Sequence, residues 1–108
     1  MTFDVLLTED AQRDLEEIDD HITATDSQAA ADHVLDNIEK VFLSLAELPA
    51  RGSHPKELLQ LGIREYREVF FKPYRIIYRI QATSVYVYLI ADGRREMQTL
   101  LSRRLLGA

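Results

Sequence analysis

The chain has 108 residues, a formal net charge of −5, 46% apolar and 29% charged residues, and no cysteine. That length holds one core and no second domain, the composition excludes a disordered or fibrous chain, and the missing cysteines exclude disulfides, Cys-ligated metal centres and thiol nucleophiles. The longest apolar run, Val85–Ala91, has seven residues, against the ~20 needed to span a bilayer. The start Met1-Thr2-Phe3-Asp4 also lacks the basic region of a signal peptide, so a single domain over residues 1–108, in the cytoplasm, is expected.

Phe3–Leu7 reads as a short strand. Thr8 followed by Glu9 and Asp10 reads as an N-cap with acidic residues in the first helical turn. Ala11, Leu15, Ile18 and Ile22 then form one stripe of a 3.6-period helix ending near Thr23, with Asp10, Asp14, Glu17 and Asp20 or His21 facing out. Thr25-Asp26-Ser27-Gln28 matches a capping box. A second periodic set, Ala30, Ala31, Val34, Leu35, Ile38, Val41, Phe42 and Leu45, predicts a helix closed by Pro49. So short a connection makes the two helices an antiparallel hairpin. From Pro49 to Gly62 the periodicity lapses into a loop. Ile63–Phe71, Tyr74–Ile80 and Val85–Ala91 are rich in β-branched and aromatic residues and predict an antiparallel meander. Tyr74, Ile76, Tyr78 and Ile80 share one face of its middle strand, and Arg75, Ile77 and Arg79 the other. Glu96–Leu106 is a short amphipathic helix with Met97, Leu100, Leu101, Leu105 and Leu106 on its apolar side. The order is β-α-α-β-β-β-α: an α+β fold with an antiparallel sheet, an N-terminal helical hairpin packed on it and a short C-terminal helix.

Charge is unevenly placed. Residues 1–50 carry 13 Asp/Glu and two Lys/Arg, whereas residues 51–108 carry 11 Lys/Arg and five Asp/Glu. A basic half can bind an anion even in an acidic chain. The alternative is that the two halves neutralise each other across the fold.

The basic half contains the candidate binding residues. Arg64 and Arg67 lie on the second strand, Arg75 and Arg79 on the third, and Arg94 and Arg95 just beyond the fourth. Arg75 and Arg79 share a face about 13 Å apart at the usual strand rise, and the Lys72-Pro73 hairpin brings Arg67 near that face or its edge. Guanidinium groups suit phosphates and carboxylates; pairing with Glu65, Glu68 and the acidic helices would instead consume them internally. Tyr66, Tyr74, Tyr78, Tyr86 and Tyr88 are interleaved with the arginines, as stacking platforms or as half-buried sheet residues. His21, His33 and His54 are too scattered for a local metal site, so no metal and no cofactor is assigned. Elbow serines and Gly-rich phosphate loops are missing.

The run Tyr74-Arg75-Ile76-Ile77-Tyr78-Arg79-Ile80, then Val85-Tyr86-Val87-Tyr88-Leu89-Ile90 and Asp92-Gly93-Arg94-Arg95-Glu96, resembles the bacterial RelE/ParE toxin superfamily over nearly the whole chain. The resemblance implies the toxin of a type II toxin–antitoxin module, often described as a plasmid stabilisation protein. RelE-like members cleave mRNA in the ribosomal A site, attacking a phosphate with the adjacent 2′-hydroxyl and supplying acid, base and cations from side chains. Carried over by position, Arg75 would be the phosphate-stabilising arginine and Arg95 the arginine after the last strand. The tyrosine these nucleases place in the C-terminal helix falls at about Leu101, and their second-strand lysines fall among Tyr66, Arg67, Glu68 and Val69. Both departures disfavour the nuclease. ParE-like members have a longer helical hairpin, lack the nuclease set and inhibit DNA gyrase, and this chain is closer to them. The leading expectation is a gyrase inhibitor with no catalytic residues. The alternatives are a ribosome-dependent nuclease using Arg75 and Arg95, and an inactive binding-only relative.

The resemblance also implies a cognate antitoxin, with operator DNA reached only through it, and no membrane partner. The expected contact residues for antitoxin or target are Arg67, Tyr74, Arg75, Arg79, Arg94 and Arg95. A face with arginines and aromatics beside a short helix suits a partner segment with acidic and apolar side chains that folds on binding.

Overall fold

The computed structural model describes residues 2–107. Strand β1 (Asp4–Leu7) leads into helix α1 (Glu9–Thr25), capped by the Thr8 hydroxyl, which accepts from the Ala11 amide at 3.1 Å. Ser27 caps helix α2 (Gln28–Leu43) in the same way through the Ala30 amide at 3.0 Å. Each cap satisfies an amide that a helix start otherwise leaves unpaired. Helix α2 stops at Leu43, short of the expected Leu45, and a 3₁₀ turn, Ser44–Ala46, follows it; a second 3₁₀ turn, Pro49–Arg51, and a single-turn helix α3 (Lys56–Leu59) occupy the stretch in which periodicity lapses. Strands β2 (Tyr66–Phe71), β3 (Tyr74–Gln81) and β4 (Ser84–Asp92) and helix α4 (Met97–Leu106) complete the chain.

The expected meander is present, with β2 and β4 both antiparallel to β3. The sheet is mixed, however, and not wholly antiparallel as expected: its order is β1-β4-β3-β2, and β1 lies parallel to β4 from Asp4↔Ser84 to Leu7↔Val87. The two-helix excursion between β1 and β2 makes this possible, because a parallel neighbour needs a long crossover.

The sheet separates two apolar layers. On one face Val69, Ile76, Tyr78, Val85, Val87 and Ile90 pack against Ala11, Ile38, Phe42 and Leu45 of the hairpin and the turn after it. On the other, Ile77, Leu89 and Ala91 are covered by Leu58, Met97 and Leu101 from α3 and α4. The β3–β4 register shifts between Ile77 and Tyr78, which oppose Leu89 and Val87 respectively. Tyr88 is thus the extra residue of a bulge, and Tyr88 and Leu89 both join the α4 layer.

Candidate binding surface

Arg75 points into the α3–α4 layer and is buried there. Its Nη1 and Nη2 each donate at 2.8 Å to a different oxygen of Glu57 on α3, and its Nε donates at 2.8 Å to Glu68 Oε1 on β2. The three side chains are only 11%, 12% and 8% exposed. Glu68 reaches Arg75 because Tyr66, Glu68 and Phe70 share the face of Arg75, Ile77 and Arg79, and the two charges sit diagonally across the β2–β3 pair. Gly93 makes room for the arginine stem: a Cβ there would meet Arg75 Cδ at 2.9 Å and Cγ at 3.0 Å. The bidentate hydrogen bonds from Arg75 hold the Glu57 carboxyl below the ordinary carboxylate range. Glu68 receives the smaller share of the guanidinium, and burial pushes its carboxyl up.

The expectation of an open cationic face at Arg75 therefore does not hold: its charge is consumed internally by Glu57 and Glu68. The six expected contact residues do not form one patch. Arg67 lies on the opposite face from Arg75, at the sheet edge, where its Nη1 donates to the carbonyls of Gly52 at 2.9 Å and Ala50 at 3.3 Å. Tyr74 also faces the hairpin side, packed against its apolar layer. Arg94 is exposed and ion-paired with Asp92, whose carboxyl this partner holds below its ordinary value. Arg79 and Arg95 carry no salt bridge among the described residues.

Arg79 belongs to a half of the outer sheet face beside the α3–α4 cover. Its guanidinium carbon stands 6.0 Å from the Tyr66 ring centroid, and Tyr66 meets Tyr88 edge to face at 5.5 Å. Next to them Tyr86 is partly buried, and Leu6, paired with Tyr86 across β1–β4, is exposed. Aromatic and aliphatic surface flanked by one uncommitted cation is what remains of the expected basic, tyrosine-lined surface.

One structural pair was not legible. Asp14, expected to face solvent, is buried. It accepts the Ile90 amide at 2.9 Å and a bidentate pair from Arg104, also at 2.9 Å, while Arg104 Nη1 donates to the Tyr88 carbonyl at 2.9 Å. β1 stops pairing at Val87, so the β4 edge beyond it has no strand neighbour there. Asp14 and Arg104 satisfy its amide and carbonyl instead and tie α1, β4 and α4 together. No sequence signal marks this, because both residues occupy polar positions of their helices.

His54 Nδ1 donates to the Tyr66 carbonyl at 3.0 Å, and His21 and His33 sit exposed on the helices. Among the described residues no cluster of His, Asp or Glu side chains is arranged to hold a metal ion, and no helix is long and apolar enough to cross a membrane.

The family model for the ParE toxin of type II toxin–antitoxin systems matches residues 5–97. The chain belongs to the ParE toxin family. It is 26% identical over 100 residues to Toxin ParE3 of Caulobacter vibrioides, covering 93% of this chain and 96% of that protein. Its fold is similar to that of a chain from the chromosomal ParDE system of P. aeruginosa, with a TM-score of 0.71, 16% identity, and coverage of 84% of this chain and 96% of that one. A chain of the RelBE2 toxin–antitoxin complex of Mycobacterium tuberculosis is also similar, with a TM-score of 0.55, 22% identity and coverage of 85% and 92%. The α+β order of this ParE family member, with a helical hairpin and a meander, is the shared fold.

Proposed function

We propose that this ParE family toxin is neutralised by a cognate antitoxin and inhibits DNA gyrase by binding it, without a catalytic step. The observation that carries this reading is the environment of Arg75. A ribosome-dependent nuclease needs an arginine at this position to meet a phosphate. Arg75 would have to leave Glu57 and Glu68, and both carboxylates would then be buried without a counter-ion, which costs several kcal/mol. Leu101, at the position where the resemblance places a nuclease tyrosine, is fully buried beneath the sheet. Of the expected nuclease set, Arg95 alone is left exposed, and one cation offers charge but no proton transfer at pH 7.

The surfaces that remain open suit protein recognition. Tyr88, Arg79, Tyr86 and Leu6, beside the buried Tyr66, mix aromatic, aliphatic and cationic groups, the composition enriched at the centres of protein interfaces. Pairing of related toxins with antitoxins in the ParDE and RelBE2 systems supports the same pairing here, and operator DNA would then be reached through the antitoxin.

The test expresses the chain without its operon neighbour and adds it to two assays: plasmid supercoiling by purified gyrase, and message integrity in a translation extract. Loss of supercoiling with intact message is the expected result. Codon-phased cuts with normal supercoiling would overturn it, and no effect in either assay would leave an inert binder.

A further inference from the structure

Two depressions meet at Arg95. One, of about 280 Å³, lies between α1 and the Tyr74–Asp92 end of the sheet, with Ile18, Tyr74 and Ala91 as its apolar lining and Glu17 at its edge. The other, about 450 Å³ and more open, runs along α4 past Thr99, Leu100 and Arg103. Arg95 lines both, so they form one groove along α1 and α4.

Its charges divide into spent and unspent. Asp14 is consumed by Arg104 and Asp92 by Arg94; Glu96, whose carboxylate accepts the Thr99 amide at 2.7 Å, keeps its charge but is outnumbered by Arg95 and Arg103 beside it. Arg95, Arg103 and Glu17 carry no salt bridge among the described residues. The unspent field therefore changes sign along the groove, cationic beside α4 and anionic beside α1. A nucleic-acid backbone, uniformly negative, is repelled at the Glu17 end. A polypeptide with charges of both signs matches both ends.

We infer that this groove docks a segment of the antitoxin that sets an acidic side chain between Arg95 and Arg103 and a basic one at Glu17. The stem of that lysine or arginine lies over Ile18 and Tyr74 while its head reaches the carboxylate. The inference rests on the antitoxin pairing proposed above and adds its location and polarity. Complementary charge of this kind fixes register and excludes wrong partners.

The experiment co-expresses the full chain with the product of the neighbouring reading frame and measures affinity by titration calorimetry in low and high salt. Glu17→Arg and Arg95→Glu each weaken the complex about tenfold or more at low salt, and the double exchange, which keeps net charge at its original value but inverts the field, weakens it further. Glu16→Arg, on the same helix and outside the groove, leaves affinity unchanged, and melting curves verify that every variant is folded. Unchanged affinity in the double exchange overturns the groove while leaving the pairing intact. Failure of the unaltered chain to bind that product overturns the pairing and the groove with it. Unchanged antitoxin affinity with lost gyrase inhibition would assign the groove to the target instead and overturn its occupant.

Discussion

Arg75 and Glu57 meet through two parallel hydrogen bonds of 2.8 Å, joining the third strand to a single-turn helix that lies in a stretch without periodicity. The pair holds α3 on the sheet, and Glu68 completes it from the neighbouring strand. Arg75→Ala leaves two buried carboxylates facing each other and is expected to cost about 3–5 kcal/mol. The urea midpoint of the purified variant measures this; a loss below about 1 kcal/mol would show that the guanidinium is not structural.

Acid should release the same lock. Glu57 and Asp92 have folded-state pKa values below their ordinary 4.5 and 3.8, so the unfolded chain binds more protons than the folded one as pH drops through that range. Their stabilisation is present above those ordinary values and is lost as pH falls through the folded ones. Glu68 has the opposite sign: its raised value means the folded chain keeps this proton longer, so ionising it weakens the fold as pH rises past the ordinary carboxylate range. Urea midpoints from pH 3 to 7 should fall on the acid side, with a shallower fall in Glu57→Gln. At neutral pH, Glu68→Gln should cost less than Glu57→Gln; equal costs would contradict the unequal division of Arg75.

Asp14→Ala removes the acceptor for the Ile90 amide and the partner of Arg104, with an expected loss of about 2–4 kcal/mol. Hydrogen exchange gives the more specific readout. The Ile90 amide should lose protection while amides in the middle of α2 keep theirs relative to global unfolding. Retained protection at Ile90 would mean that another group caps the β4 edge.

Much of the fold was legible because its elements carry strong periods. The stripe Ala11, Leu15, Ile18 and Ile22 placed α1, although the helix continues to Thr25, and the alternation of Tyr74, Ile76, Tyr78 and Ile80 assigned the face of β3 that meets the hairpin. The parallel placement of β1 was not readable, since a four-residue strand has no pattern that distinguishes its two possible directions. Asp14 escaped for a related reason: periodicity places it on a polar face, and only the end of the β1–β4 ladder at Val87 leaves the strand edge that Asp14 caps. Glu57 lies in a loop-like stretch with no period at all. Glu68 had a signal, its alternation with Tyr66, and pairing with it was one of the two readings open for the arginines. What sequence could not weigh was which reading prevailed at each one: Arg75 is quenched, while Arg79 and Arg95 have no acidic partner among the described residues.

Tyr78 is fully buried, and its hydroxyl donates to the Pro49 carbonyl at 2.6 Å while accepting the Gly52 amide at 3.0 Å. Gly52 is required there, because a Cβ would lie 2.6 Å from both the Tyr78 hydroxyl and the Glu68 carbonyl. Tyr78→Phe strands two buried backbone groups and should cost about 1–3 kcal/mol. Thermal melts check it, with Tyr86→Phe, at a partly exposed position, expected near neutral.

The most direct test of a binding toxin whose Arg75 is internal is a gyrase supercoiling titration with the triple variant Arg75→Met, Glu57→Leu, Glu68→Leu. Replacing a buried charge triad by apolar groups of similar size can preserve a fold, and here it erases the arginine that would stabilise the phosphate in a nuclease. The account predicts inhibition at the same concentration as the unaltered chain. A folded triple variant that leaves gyrase active while the unaltered chain inhibits it would contradict the account.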